Sequence, residues 1–219
     1  MIAAAEPAVR LNPFPGLRPF EPDEDYLFFG RERQIDELLK RLRTTRFLAI
    51  LGTSGSGKSS LVRSGLIPSL YGGGMTRAGS SWRVAILRPG VDPTGNLATA
   101  LAAPEALGGD DLQRAFFETT LRASKLGLVE CVRQARLRER DNVLVLADQF
   151  EELFRFKQSG GHDEAVAFVK LLIEASRCPD LPLYVAFTMR SDFLGNCMEF
   201  AELPEVVNEG LYLVPRMTR

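Results

Sequence analysis

Histidine is nearly absent from this chain: His162 is the single example among 219 residues. One imidazole cannot build a histidine-based metal centre, and nothing around it suggests a Ser-His-Asp triad. Its setting, Ser159-Gly160-Gly161-His162-Asp163, reads as a solvated surface loop. Cysteine is sparse as well. Cys131, Cys178 and Cys197 are scattered without metal-ligand spacing, and an odd, low count indicates a reduced intracellular protein, expected to be cytoplasmic. An excess of either charge is missing too, because 27 basic residues nearly cancel 28 acidic ones. A broad basic footprint for nucleic acid is therefore not visible. The run 136–140 contains Glu139 among its arginines and reads as a solvated helix end. No apolar stretch approaches membrane-spanning length, and the start of the chain lacks the basic-plus-apolar pattern of a signal peptide. Internal repeats and low-complexity segments are also absent.

The chain is long enough for one domain of ordinary to large size, with apolar content sufficient for a proper core. Its most informative stretch is Gly52-Thr53-Ser54-Gly55-Ser56-Gly57-Lys58-Ser59-Ser60, a match to G-x-x-x-x-G-K-S/T. Glycines in such a loop let the backbone curl so that successive N–H groups point at a phosphate chain. The helix that follows aims its positive dipole end at the same anion. Lys58 then reaches the β- and γ-phosphates, and Ser59 places its hydroxyl on Mg²⁺. A Gly/Ser-rich linker could match by chance, so context decides. Phe47-Leu48-Ala49-Ile50-Leu51 before the loop is a short apolar run, as in a strand covered on both faces. Residues 59–70 read as a helix with Leu61, Val62, Leu66 and Leu70 mostly on one side. Pro68 weakens its last turn, and Gly72-Gly73-Gly74 stops it.

The rest of the chain alternates. Residues 1–10 read as a mobile tail, and 12–25, with Pro13, Pro15, Pro19 and Pro22, as an extended segment anchored by Phe14, Leu17 and Phe20. A helix to about Arg43 carries Ile35, Leu38, Leu39 and Leu42 at i, i+3, i+4 and i+7. Strands are expected at 82–87, 143–147, 183–189 and 211–214. Helices are expected at about 96–102, after Asp110 or Asp111 through Leu112, Ala115 and Phe116, at 126–139, and from a cap at Asp163 through Ile173. Such alternation points to a parallel sheet with helices on both faces, whose ligands bind at the carboxyl ends of the strands.

The polar residues at those ends are therefore the candidates for chemistry. Asp148 ends the third strand, the Walker B position, where a carboxylate holds Mg²⁺ directly or through water. Gln149 follows it, so any water-orienting carboxylate has to be Glu151 or Glu152. The plainer reading is that this acidic pair only caps the next helix. Arg190 ends the fourth strand, where its forked, permanent charge suits a γ-phosphate; a surface ion pair with Asp192 is the alternative.

Together these segments resemble the NTPase domain of the STAND class of signal-transduction ATPases, in its bacterial novel STAND branch. The resemblance is carried by Phe14-Pro15-Gly16-Leu17-Arg18-Pro19-Phe20, Phe28-Phe29-Gly30-Arg31-Glu32, the 52–60 loop, Asp148-Gln149-Phe150-Glu151-Glu152-Leu153-Phe154, Thr188-Met189-Arg190-Ser191-Asp192-Phe193 and Tyr212-Leu213-Val214-Pro215. It implies a three-layer αβα P-loop NTPase fold of the ASCE type with a five-stranded, mainly parallel sheet. Residues 1–25 would be a leader, 26–215 the NTPase core, and 216–219 the start of a missing helical lid. Phe29, Gly30 and Arg31 would lie near adenine and ribose, while Gly52, Ser54, Gly55, Ser56, Gly57, Lys58, Ser59 and Ser60 would hold the phosphates. Ser59 and Asp148 would hold Mg²⁺, and Arg190 would be the γ-phosphate sensor. The implied function is a cytoplasmic ATP/ADP switch with slow hydrolysis, in signalling or defence. Its partners would be C-terminal sensor or repeat domains and an effector, with homo-oligomerisation on activation. An excised domain or truncated product is expected, and turnover is expected to depend on the lid or on oligomerisation. The alternatives are a scaffold that binds nucleotide without hydrolysis, and a small-molecule kinase, for which the basic residues between Arg77 and Arg138 show no recognisable pattern.

Overall fold

Every residue of β1 (Phe47–Gly52) is buried, because its two faces serve two different cores. Phe47, Ala49 and Leu51 point to one side of the sheet, and Leu48 and Ile50 to the other, as the period of two requires. β2 (Trp82–Leu87), β3 (Asn142–Ala147), β4 (Leu183–Arg190) and β5 (Leu211–Leu213) complete the sheet. Their order is β2-β3-β4-β1-β5, and every pairing is parallel. β4 thus lies between β1 and β3. The computed structural model describes residues 16, 18–75, 79–135 and 137–216. The expected tail at 1–10 and the anchors Phe14 and Leu17 lie outside them, as does Arg136.

One face of the sheet is covered by α1 (Glu32–Thr45) and by a helix that starts as α2 (Lys58–Ser60), passes through a π-helical turn (Leu61–Leu66) and ends as α3 (Ile67–Tyr71). Leu38, Leu39 and Leu42 are the buried stripe of α1, as their spacing predicts. The π turn was not legible in the sequence. Ile67 N–H donates to the Val62 carbonyl, five residues back, and the next residue, Pro68, has no N–H to give. The opposite face carries α4 (Pro93–Ala102), α5 (Asp111–Ala123), α6 (Gly127–Gln134), α7 (Glu151–Gln158), α8 (His162–Ser176) and α9 (Leu203–Gly210). The architecture is the three-layer αβα sandwich expected from the alternation.

Several boundaries differ from expectation. α4 begins at Pro93, since Asp92 caps it by accepting from Gly95 N–H and proline suits a first turn. α6 stops at Gln134, so 137–140 is a solvated turn and not a helix end. There Asp141 accepts from Arg138 N–H and Ser81 Oγ and pairs with Arg83. His162 is solvated, as read, but it opens α8, and Gly161 stands at the cap in place of Asp163. Pro22–Leu27 forms a 3₁₀ helix, where the end of the 12–25 segment was expected to run extended, because Pro22 presets φ and the Glu24 carboxylate accepts from Glu21 N–H. Between β4 and β5, where no element was expected, lie a 3₁₀ helix (Ser191–Glu199) and α9.

Candidate nucleotide-binding site

The 52–60 loop curls because Gly55 and Gly57 take left-handed φ angles of 73° and 81°, which cost a residue with a Cβ. A Cβ on Gly52 would meet Ser56 Oγ at 2.6 Å, so the turn also needs glycine at its start. Ser56 Oγ is buried and has no hydrogen-bond partner among the described residues, an arrangement that a bound acceptor would complete. Lys58 Nζ donates to the carbonyls of Gly52 (3.1 Å) and Thr53 (2.9 Å). Burial pushes its ammonium below the ordinary lysine range, partly offset by the Glu151 carboxylate and reinforced by the charge of Arg190.

Two cavities share this loop as a common wall. One, of about 600 Å³, is lined by Lys58, Ser59, Gln149, Glu151, Arg155 and Arg190 among others. The second, of about 530 Å³, is lined by Phe20, Phe28, Phe29, Arg31 and Arg216 beside the loop. The first is rich in charge and suits a polyphosphate; the second is aromatic and suits a planar base.

Asp148 stands behind the charged cavity with no solvent exposure. Its Oδ1 accepts from Ser59 Oγ at 2.7 Å and from Thr188 Oγ1 at 2.6 Å. Ser59 and Asp148 therefore present adjoining hard oxygens, the donor type that Mg²⁺ takes. Among the described residues there is no group of three or more histidine, cysteine or carboxylate ligands. Phosphate oxygens and water would supply the remaining ligands.

The two glutamates part company. Glu151 lines the charged cavity, nearly buried, and accepts from Arg190 N–H at 3.3 Å. Glu152 turns away and accepts from Gly90 N–H at 3.1 Å, closing the turn after β2. Gln149 between Asp148 and these glutamates has φ of 59°, a left-handed conformation that redirects the chain from β3 into α7. With its amide turned to face them, Gln149 accepts from Arg88 and donates to Glu152. Arg190 is in register with Gly52 across β4 and β1, which brings it to the mouth of the loop. Its guanidinium pairs with Asp192 at 2.6 Å and stands over Phe193. Phe29 is 72% exposed at the rim of the aromatic cavity, and Gly30 N–H is held by Glu32. Arg31 is buried and donates to the carbonyls of Ser56 (3.2 Å) and Pro215 (3.1 Å), clasping the loop to the end of the chain beyond β5.

Sequence reasoning missed several participants. Thr188 and Arg63 both hydrogen-bond Asp148, and Arg155 lines the charged cavity. Arg63 follows Ser59 by four residues and Arg155 follows Glu151 by four, a helical spacing that puts each on its partner's face. Phe28 and Phe20 carried no signal for a base pocket, since their meeting depends on how the 3₁₀ turn folds back.

A parallel sheet with a curled glycine loop at one strand end, Lys-Ser opening the next helix, and a buried aspartate two strands away is the constellation of a P-loop NTPase. The chain belongs to the novel STAND NTPase 1 family, whose pattern matches residues 13–219, and is a nucleotide-binding NTPase domain. Among solved structures, it is similar in fold to the ORC2 protein of Aeropyrum pernix, determined in ADPNP–ADP complexes. That similarity has a TM-score of 0.53 at 14% identity and covers 86% of this chain but 48% of the ORC2 chain. No curated protein matches the chain. No helix among the described residues is long and apolar enough to cross a membrane.

Proposed function

We propose that this chain is the ATP-binding, slowly hydrolysing switch domain of a cytoplasmic STAND-type signalling or defence protein. It would work with sensor or repeat domains and an effector, and oligomerise on activation. The observation that carries the site reading is the 2.7 Å contact between Ser59 Oγ and Asp148 Oδ1, which joins the loop to a buried carboxylate across β4. Phe29 would lie against adenine, with Gly30 and Arg31 beside the ribose. The loop amides from Ser54 to Ser60 would receive the phosphates, and Lys58 would leave its two carbonyls for the β- and γ-oxygens. Mg²⁺ bound at Ser59 and Asp148 would neutralise charge that develops on the transferred phosphoryl group. Glu151 is the carboxylate positioned to orient an attacking water, whereas Glu152 is engaged by Gly90. Arg190 would exchange Asp192 for the γ-phosphate.

A second reading, a scaffold that binds nucleotide without turnover, is favoured by the Arg190–Asp192 pair, which occupies the sensor guanidinium. Calorimetry with Mg-ATP tests the common part. Lys58→Ala should lower affinity by at least about tenfold, because an alanine cannot donate charge-assisted hydrogen bonds to phosphate, while the melting temperature stays put. Unchanged affinity would remove the loop from the phosphate-binding role.

A further inference from the structure

The Asp148 carboxylate is saturated by protein donors. Oδ1 accepts from Ser59 and Thr188, and Oδ2 accepts from both Nε (3.3 Å) and Nη2 (3.1 Å) of Arg63. A carboxylate offers about four lone-pair positions, so these four donors fill it. The same guanidinium turns Nη1 onto both oxygens of Glu21, at 3.0 and 2.8 Å. Arg63 is thus shared between a fully buried carboxylate and one whose side chain is 41% exposed. Glu21 is held over the helix independently of that ion pair. Its carbonyl accepts from Ser64 Oγ at 2.6 Å, and the neighbouring Phe20 N–H donates to Ser60 Oγ at 3.1 Å.

We infer that Arg63 is a positioning residue that competes with a divalent cation for Asp148 Oδ2, with Glu21 as the carboxylate that takes up the displaced guanidinium. The inference rests on the metal–nucleotide reading of the site. A cation held beside Ser59 brings either itself or one of its waters onto Asp148, and Oδ2 has no lone pair left while Arg63 makes both of its bonds there. Ser59 can keep its bond, because a hydroxyl donates its proton and offers lone pairs elsewhere. Thr188 is locked from behind, accepting from Gln149 N–H. Arg63 is the donor with a second partner already in contact. Cation binding therefore moves its positive charge toward Glu21 and tightens the segment 18–27 on the helix. By linkage, docking of that segment favours the cation to the same degree.

The probe is Mn²⁺ with ADP, free Mn²⁺ being counted by electron paramagnetic resonance. Arg63→Gln should bind Mn²⁺ about tenfold tighter, within the usual range of couplings. Arg63→Lys keeps the charge but not the forked donors, so it should also bind more tightly, though by less. Glu21→Gln leaves the Arg63–Asp148 bonds in place and should weaken Mn²⁺ binding by roughly fivefold. In the unaltered protein, Mn²⁺-ADP should slow hydrogen exchange across 18–27, including the Phe20 amide. Weaker binding in Arg63→Gln, wild-type affinity in Arg63→Lys, or unchanged exchange in 18–27 would each overturn the competition while leaving the nucleotide site intact. If the unaltered protein bound no Mn²⁺-ADP, the site reading would fall, and the competition with it.

Discussion

At Glu151 and Glu152, adjacent carboxylates meet opposite surroundings within one turn. Glu151 faces Lys58 and the charged cavity, and Glu152 is tethered to the Gly90 amide. Glu151→Gln should therefore keep Mg-ATP binding and lower phosphate release by at least about a hundredfold, the lower end for a general base. Glu152→Gln should leave turnover near that of the unaltered chain, because a glutamine oxygen still accepts from Gly90. Single-turnover phosphate release measured on both variants distinguishes them; turnover equal to that of the unaltered chain in both would return the pair to a helix-capping role. Adjacency hid this difference in the sequence. Neighbouring residues at the start of a helix point about 100° apart, and only the packed position of α7 says which one faces the loop.

At the scale of elements, α9 packs closely against the start of β1 at Gly210. A Cβ on Gly210 would come within 2.1 Å of the Phe47 carbonyl oxygen, which belongs to backbone and cannot turn aside. Gly210→Ala should destabilise the fold by about 1–3 kcal/mol, as overpacking generally does. Urea unfolding followed through the buried Trp82 checks this; a midpoint equal to that of the unaltered chain would show that α9 can move away. The five strands were legible because their apolar runs are continuous and short, and α1 because its leucines recur at helical spacing. α9 and the 3₁₀ helix before it were not: Leu203, Val206, Val207 and Gly210 keep helical spacing but for only eight residues with a proline in the first turn, and the 3₁₀ helix buries Cys197 alone. The π turn was equally invisible, because widening by one residue leaves the local composition unchanged.

For the whole molecule, the segment before α1 is tied to the core through Ser60, Arg63 and Ser64, and it is braced internally by a contact whose strength depends on pH. Glu24 is held at about 2, well below its ordinary 4.5, chiefly by hydrogen bonds from Arg18 and from the Glu21 N–H. A depressed carboxylate contributes fully above its unfolded value and loses that contribution as pH falls through its folded one. The Arg18–Glu24 tie should thus be intact above about pH 4.5 and weaken toward pH 2. Carboxyl carbon NMR should find Glu24 titrating low, and Arg18→Ala should move it back toward 4.5; a normal titration in the unaltered protein would dissolve this tie.

The sequence by itself determined the αβα alternation, the curled glycine loop, the lysine and serine that open its helix, and the aspartate at the end of β3. All of these are written in contiguous residues, where spacing and hydrophobic period suffice. Tertiary structure alone decided that Arg63 joins Glu21 to Asp148, that Thr188 shares that carboxylate, and that Arg190 turns to Asp192. These hydrogen bonds span 40 to 85 positions of chain, apart from the two-residue step to Asp192. They form only because parallel crossovers return separate strand ends to one edge, where desolvated charges must find partners.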